Sequence, residues 1–164
     1  SFPESPYKRV LFCTDFSRNA DLAFGFAVDQ ALRLPRPTLH LLHVLPEPEA
    51  QFWQTYLYEV DDVDAKARRD MEAKIDDAYR QRLPQDVRLE VLFRVGPAGR
   101  EILACAQELQ ADLIVLGRQG SSSLGKVLFG NVTEHVVRKA ECAVMVIPMS
   151  FQHLPQAEER RSAT

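Results

Sequence analysis

The fold is decided by residues 113–134, whose sequence is LIVLGRQGSSSLGKVLFGNVTE. An uninterrupted apolar run ends at Gly117, a stretch rich in glycine and serine follows, and helical periodicity begins at Gly130. This order predicts a strand, a loop and the start of a helix. Glycines let main-chain N–H groups come close to a ligand, and the unpaired N–H groups of a helix's first turn attract anions. The stretch therefore predicts a cradle for nucleotide phosphates.

Length and composition favour one soluble globular domain. The chain has 164 residues, 46% of them hydrophobic and 26% charged, with a net charge of -3. Such a balance gives no basic surface for nucleic acid. A leading signal peptide and an apolar run long enough to span a membrane are both missing, so we expect neither export nor membrane insertion. We expect the domain to cover residues 1–149 and the polar segment 150–164 to be a disordered tail.

The three cysteines, Cys13, Cys105 and Cys142, are odd in number, widely spaced and set among apolar residues. This pattern favours buried free thiols over a disulfide framework. We therefore expect a reducing, cytoplasmic location.

Strand and helix patterns alternate along the chain. Strands are predicted at 8–14, 38–44, 86–95, 112–116 and 143–147, and helices at 17–34, 52–83, 98–109 and 131–139. Ser17 is the expected N-cap of the first helix, and Pro35 ends it. The alternation predicts a doubly wound α/β fold with a parallel sheet. Ligands of such sheets bind outside the carboxyl ends of the strands, where Thr14, Val44 and Gly117 should converge.

The glycine spacing, Gly117 then Gly120 after two residues and Gly130 after nine more, resembles the ATP-binding signature of the universal stress protein family. The sequences TDFS at 14–17, HV at 43–44 and GNVTE at 130–134 are also similar to that family. The resemblance covers residues 8–148. It implies a five-stranded, Rossmann-like parallel sheet in the order 3-2-1-4-5, with helices on both faces and ATP, with or without Mg²⁺, in the crevice.

Roles for individual residues follow from this resemblance. Asp15 would lie at the ribose or adenine, Val44 would pack on the adenine, and the glycines and the helix start would contact ribose and phosphates. The implied nucleotide-binding set is Cys13, Thr14, Asp15, Val44, Leu116, Gly117, Arg118, Gly120, Gly130, Asn131, Val132 and Thr133.

Two residues depart from the family's ATP-binding pattern. Asn131 stands where such members typically have Ser or Thr, and Cys13 where they frequently have Pro. Asn131 could still contact phosphate, or it could form a capping box with Glu134 that stabilises the helix without any ligand. Asp15, likewise, could contact the ribose or only support the first turn of the first helix.

Other polar residues admit two interpretations each. Arg118 and Lys126 could neutralise phosphate or lie in solvent, and residues 121–123, three serines, could contact phosphate, accept a phosphoryl group or form a plain flexible loop. His40 and His43 lie three apart on a strand, so they point to opposite faces and cannot bind one metal together. We expect no metal site. No catalytic motif is present, so any ATP hydrolysis should be slow.

The last strand, with Val144 and Val146, would form an open sheet edge in the implied strand order. An apolar edge favours pairing with a second copy, and the family resemblance also implies a homodimer. A loop or the tail covering the edge is the alternative. The leading hypothesis is a nucleotide-responsive stress sensor or regulator. A dimeric interaction module without nucleotide and a slow ATPase or autokinase are the alternatives.

Overall fold

One parallel sheet organises the chain. The computed structural model describes residues 5–45, 61–119 and 130–153, and of residues 61–68, 152 and 153 only the backbone. Within these ranges five strands pair in parallel: β1 (Val10–Cys13), β2 (Thr38–Leu45), β3 (Arg88–Val95), β4 (Leu113–Gly117) and β5 (Ala143–Ile147). Their order across the sheet is β3-β2-β1-β4-β5, as predicted. The near-continuous apolar runs of β1 and β4 are typical of strands buried on both faces.

In the described part of the chain, four α-helices cover the two faces of the sheet: α1 (Arg18–Leu32), α2 (Asp61–Ala78), α3 (Ala98–Leu109) and α4 (Asn131–Lys139). Buried residues of α1 and α2 pack in one apolar cluster with the sheet, and those of α3 and α4 pack in a second cluster on the other side. The predicted doubly wound α/β fold is confirmed.

Helix α1 begins and ends for local reasons. The Ser17 side chain accepts a hydrogen bond from the N–H of Ala20 at 3.2 Å, which confirms the predicted N-cap. The N–H of Arg33 caps the other end by donating to the carbonyl of Gln30 at 3.2 Å. The helix therefore ends two residues before the predicted boundary at Leu34.

Helix α2 also ends earlier than predicted. Its pattern predicts helix as far as Leu83, but regular helix stops at Ala78 and a turn of 3-10 helix follows at Arg80–Arg82. Tyr79, at the junction, is fully buried, and its ring packs on Phe12 and Phe24. Because this ring is buried, the regular helix ends at Ala78, although the apolar pattern alone predicts that the helix continues to Leu83. The predicted segment 52–60 lies outside the described residues.

The expected disordered tail is corrected at its first residues. A turn of 3-10 helix forms at Met149–His153, within the segment predicted to be disordered from Ser150 onward. Phe151 lies against Phe26, with ring centroids 5.0 Å apart. Phe151 also packs against the apolar cluster that contains α1, a contact between distant residues that the sequence pattern does not indicate. Residues 154–164 lie outside the described part of the chain.

Candidate functional site

A cavity of about 380 Å³ opens at the carboxyl ends of the strands. Sixteen of the described residues line it: Cys13, Thr14, Asp15, Ser17, Ala20, Leu42, Val44, Ala98, Ile102, Leu116, Gly117, Gln119, Gly130, Asn131, Val132 and Thr133. The register of the sheet explains the convergence, since Cys13 at the end of β1 pairs with Leu42, and Gly117 at the end of β4 pairs with Ile147. The volume is in the usual range for small-molecule sites, roughly 300–1,000 Å³.

Most of the residues singled out from the sequence lie in this wall. Arg118 does not line the cavity, although both its neighbours along the chain do. Gly120 falls outside the described residues, as do Lys126 and the serines at 121–123.

Part of the cavity wall is apolar. Leu42 and Val44 come from β2, and Ala98 and Ile102 from the first turns of α3. A flat heteroaromatic ring is the kind of group that such a slot accepts. Sequence reasoning missed Ala98 and Ile102 because it assigned them to a helix face packed on the sheet. The signal was their position, since α3 starts directly after the carboxyl end of β3.

The start of α4 forms another part of the cavity wall. Gly130 is the N-cap, and the first bond of the helix joins the N–H of Glu134 to the Gly130 carbonyl at 2.9 Å. N–H groups before that position have no carbonyl partner within a helix, so with respect to the described residues those of 131–133 are available to an anion. The Thr133 hydroxyl donates to the carbonyl of Gly117 at 2.8 Å, which ties the helix start to β4.

The capping box considered for Asn131 is wrong. Asn131 is the first helical residue and is exposed, whereas Gly130 takes the N-cap position and no side chain caps the helix. The reason is that the N–H of Glu134, which a capping box would bond to the Asn131 side chain, donates to the Gly130 carbonyl at 2.9 Å instead. One of the two interpretations of Asn131 is thereby removed.

The turn between β1 and α1 forms another side of the cavity. Asp15 Oδ1 accepts from the N–H of Ser17 at 3.0 Å, and Thr14 Oγ1 accepts from the N–H of Phe16 at 2.9 Å. Asp15 is exposed, so it supports the turn and also reaches the cavity. Phe16 has φ 61°, a left-handed conformation that costs energy for a bulky residue.

Tyr79 stabilises the turn between β1 and α1 through its hydroxyl group. Its hydroxyl bonds to Thr14 Oγ1 and donates to Asp21 Oδ1 at 2.8 Å. Burial raises the pKa of the Tyr79 phenol well above its usual range, and the nearby Asp21 carboxylate raises it as well. The ring of Phe16 stacks on that of Tyr79. The hydrogen bond between Thr14 and Tyr79 could not be predicted from the sequence, because it joins residues 65 positions apart.

The two strand histidines are held separately, as expected. His43 is buried, and its Nδ1 bonds to the Thr14 carbonyl at 2.8 Å. His40 Nε2 lies 3.0 Å from Glu90 Oε2 on the neighbouring strand. Among the residues that the structure describes, no group of three His, Cys, Asp or Glu could hold a metal ion.

The end of β4 rests on α1. Asn19 is buried, its Nδ2 donates to the Ile147 carbonyl at 2.7 Å, and its Oδ1 accepts from the N–H of Gln119 at 2.8 Å. The same Ile147 carbonyl accepts from the N–H of Arg118 at 2.9 Å. Nε of Arg118 is buried with no hydrogen-bond partner among the described residues. Sequence reasoning missed Asn19, although its spacing from Ala23 and Ala27 puts it on the buried face of α1.

All three cysteines are free thiols, as expected. Burial raises the pKa of the Cys13 thiol far above its usual range, and the neighbouring Cys105 and Cys142 raise it further. Cys13 is therefore a neutral, apolar part of the cavity wall and a poor nucleophile.

Within the described ranges, none of the helices is both long and apolar enough to cross a membrane.

Comparisons with known proteins agree with this architecture. A sequence model described as the universal stress protein family matches residues 6–148. A putative universal stress protein of Staphylococcus haemolyticus is 30% identical over 156 residues, which cover 89% of this chain and 90% of the relative. The solved structure of a universal stress protein of Methanocaldococcus jannaschii is 26% identical, with a TM-score of 0.67 over 88% of this chain and 97% of that chain.

A third match is a universal stress protein solved in complex with cAMP. It is 21% identical, with a TM-score of 0.53 over 87% of this chain and 98% of that chain, and shows the shared fold. The family match spans the whole sheet and every described wall of the cavity. The chain therefore belongs to the universal stress protein family.

Proposed function

We propose that the chain binds ATP in the cavity at the carboxyl ends of the strands and acts as a nucleotide-responsive regulator of the stress response. The observation that carries the proposal is the division of this cavity into an apolar slot and a helix start. Val44, Ala98 and Ile102 suit an adenine ring, and the N–H groups at the start of α4 suit phosphates.

Asp15 suits the sugar between these two ends. Its carboxylate would repel a phosphate, whereas it can accept hydrogen bonds from ribose hydroxyls. Asn131 is exposed at the first position of α4 and does not cap the helix, so its side-chain amide is free to donate to a phosphate oxygen. Mg²⁺ would then be carried by the phosphates of ATP, which is the usual way that sites of this kind hold it.

The relative in complex with cAMP shows that a protein of this fold can hold an adenine nucleotide. For this chain the support comes from its own cavity. All three cysteines are free, which favours function in the reducing cytoplasm.

Calorimetric titration with Mg-ATP tests the proposal. Ala98→Trp places an indole in the apolar slot from a half-buried position on the rim and should abolish binding. Arg100→Trp is the matched control, since Arg100 lies on the same helix, is exposed and does not line the cavity. Absence of binding by the parent chain at millimolar ATP would reject the proposal, and so would unchanged binding by Ala98→Trp.

A dimeric interaction module that binds no nucleotide is the second candidate. The observation in its favour is β5, an edge strand whose Val144 and Val146 are only half-buried. Pairing of two such edges would also give the homodimer that we propose for the ATP-binding form. Sedimentation at micromolar concentration should show a dimer in either case, and ATP titration separates the two candidates. A monomer would contradict the proposed interface.

Slow ATP hydrolysis or autophosphorylation remains a prediction. Single-turnover assays with labelled ATP, followed by mapping of the label, would detect it.

A further inference from the structure

We propose that Asn19 is a positioning residue for the phosphate end of the nucleotide site, although it does not line the cavity. Its side-chain amide sets where the end of β4 lies and, through it, where α4 begins. This inference rests on the proposed nucleotide binding and assigns a role to a residue of α1 that no motif identifies.

Asn19 is almost fully enclosed, with 4% of its surface exposed. Both polar atoms of its amide are used, since Nδ2 donates to the Ile147 carbonyl and Oδ1 accepts from the N–H of Gln119. A buried amide loses much free energy when its partners are removed, so these two bonds strongly favour one placement of the chain around them.

The packing between Asn19 and β4 leaves no room for adjustment. A Cβ built on Gly117 would lie 2.8 Å from Cγ of Asn19 and 3.1 Å from its backbone carbonyl carbon. A glycine is therefore required at the end of β4 because α1 approaches so closely there. The segment 117–119 is held against α1 by contact at Gly117 and by a hydrogen bond at Gln119.

Two further hydrogen bonds connect residues 117–119 to the start of α4. The carbonyl of Arg118 accepts from the N–H of Gly130, and the carbonyl of Gly117 accepts from the Thr133 hydroxyl, both at 2.8 Å. A shift of residues 117–119 would move both acceptors and with them the first turn of α4. The apolar slot is made by β2 and α3 and does not depend on these bonds.

Loss of the Asn19 amide should therefore weaken binding of the phosphates and spare binding of the base. Asn19→Leu keeps a similar shape and removes both hydrogen bonds. We expect its affinity for ATP to fall at least about tenfold, as loss of well-placed hydrogen bonds to an anion typically does, and its affinity for adenosine to stay within about twofold. Gly25→Ala is the control, since Gly25 lies on the same helix and has open space around its Cβ position.

The ratio of the two affinities separates positioning from general damage. An equal loss for ATP and adenosine, or no loss for ATP, overturns the proposal. Should Asn19→Leu fail to fold, Asn19→Ala replaces it, because its small side chain also removes both hydrogen bonds without burying a charge. It should lose ATP affinity selectively, and an equal loss would again overturn the role.

The proposed function can fail separately from this inference. A parent chain that binds neither ATP nor adenosine refutes nucleotide binding and, with it, the role of Asn19 in placing phosphates. Hydrogen exchange of the Gln119 amide in the parent chain then tests whether Asn19 holds the end of β4 in place. We expect slow exchange, and exchange at the rate of an unstructured peptide would overturn it.

Discussion

The hydroxyl of Tyr79 is expected to contribute substantially to stability, and Tyr79→Phe isolates that contribution. The substitution removes one oxygen and keeps the ring, whose centroid lies 5.5 Å from that of Phe12 and 4.8 Å from that of Phe24. The lost oxygen bonds to Thr14 Oγ1 and to Asp21 Oδ1. Any change in the free energy of unfolding therefore reports these two hydrogen bonds.

The magnitude follows from the surroundings of the two partners. Thr14 is 6% exposed, so its hydroxyl loses a partner in a buried site, at a cost of about 1–3 kcal/mol. Asp21 is half-buried and water can replace the phenol there, so this second bond adds less than about 1 kcal/mol. We expect Tyr79→Phe to lower the free energy of unfolding by about 2 kcal/mol, which for a domain of this size lowers Tm by ~4–8 °C.

Urea unfolding followed by circular dichroism measures this loss as a shift in the midpoint. Tyr7→Phe is the matched control, because Tyr7 is half-buried and its hydroxyl has no hydrogen bond to the described residues. A loss below about 0.5 kcal/mol, within the range of ordinary surface substitutions, would refute the role assigned to the Tyr79 hydroxyl.

Three further predictions concern stability. Burial raises the pKa of Cys13, so the unfolded chain loses this proton first as pH rises above ~8.5. The stability that the neutral Cys13 thiol contributes below that pH should then be lost at up to ~1.4 kcal/mol per pH unit. In alkaline urea titrations Cys13→Ala should therefore lose stability less steeply than the parent chain, and equal slopes would contradict a buried neutral thiol. Gly99→Ala places a Cβ 2.6 Å from Cδ2 of His135, so it should separate α3 from α4 and lower the free energy of unfolding by about 1–3 kcal/mol. An unchanged midpoint of urea unfolding would contradict this packing. Gln110 caps α3 with φ 54°, a conformation that glycine adopts more easily, so Gln110→Gly should raise the free energy of unfolding by about 0.5–1 kcal/mol. Gln107→Gly, within the same helix, should lower it. Equal effects of the two substitutions in calorimetric scans would exclude backbone strain as the cause.

The fold could be predicted from the sequence because its apolar patterns are local. The runs that become β1 and β4 contain no breaker, and the stripe of α1 starts at a good N-cap, so the positions of these elements follow from neighbouring residues. The location of the candidate site follows in turn, since the carboxyl ends of adjacent parallel strands meet at one edge.

Features that depend on contacts between distant residues could not be predicted in this way. The capping box considered for Asn131 is a reasonable local pattern, but Gly130 takes the N-cap position and its carbonyl accepts from the N–H of Glu134. Helix α2 ends early because Tyr79 is buried against residues far away in sequence. Asn19 is a partial exception, because a polar residue in line with the apolar face of a helix can be recognised as unusual.

The carbonyl of Ile147 has a consequence for how the chain tolerates changes in length. It accepts from both Asn19 and Arg118, so the carboxyl end of β5 is fastened to the sheet and to α1 at one oxygen. A slip of β5 by one residue would move that oxygen by about 3.3 Å and exchange the faces of every side chain in the strand. An insertion ahead of β5 must therefore be accommodated in the turn at 140–142, where Glu141 is exposed. That turn is a suitable place to graft a peptide tag, and the residues just after Ile147 are not.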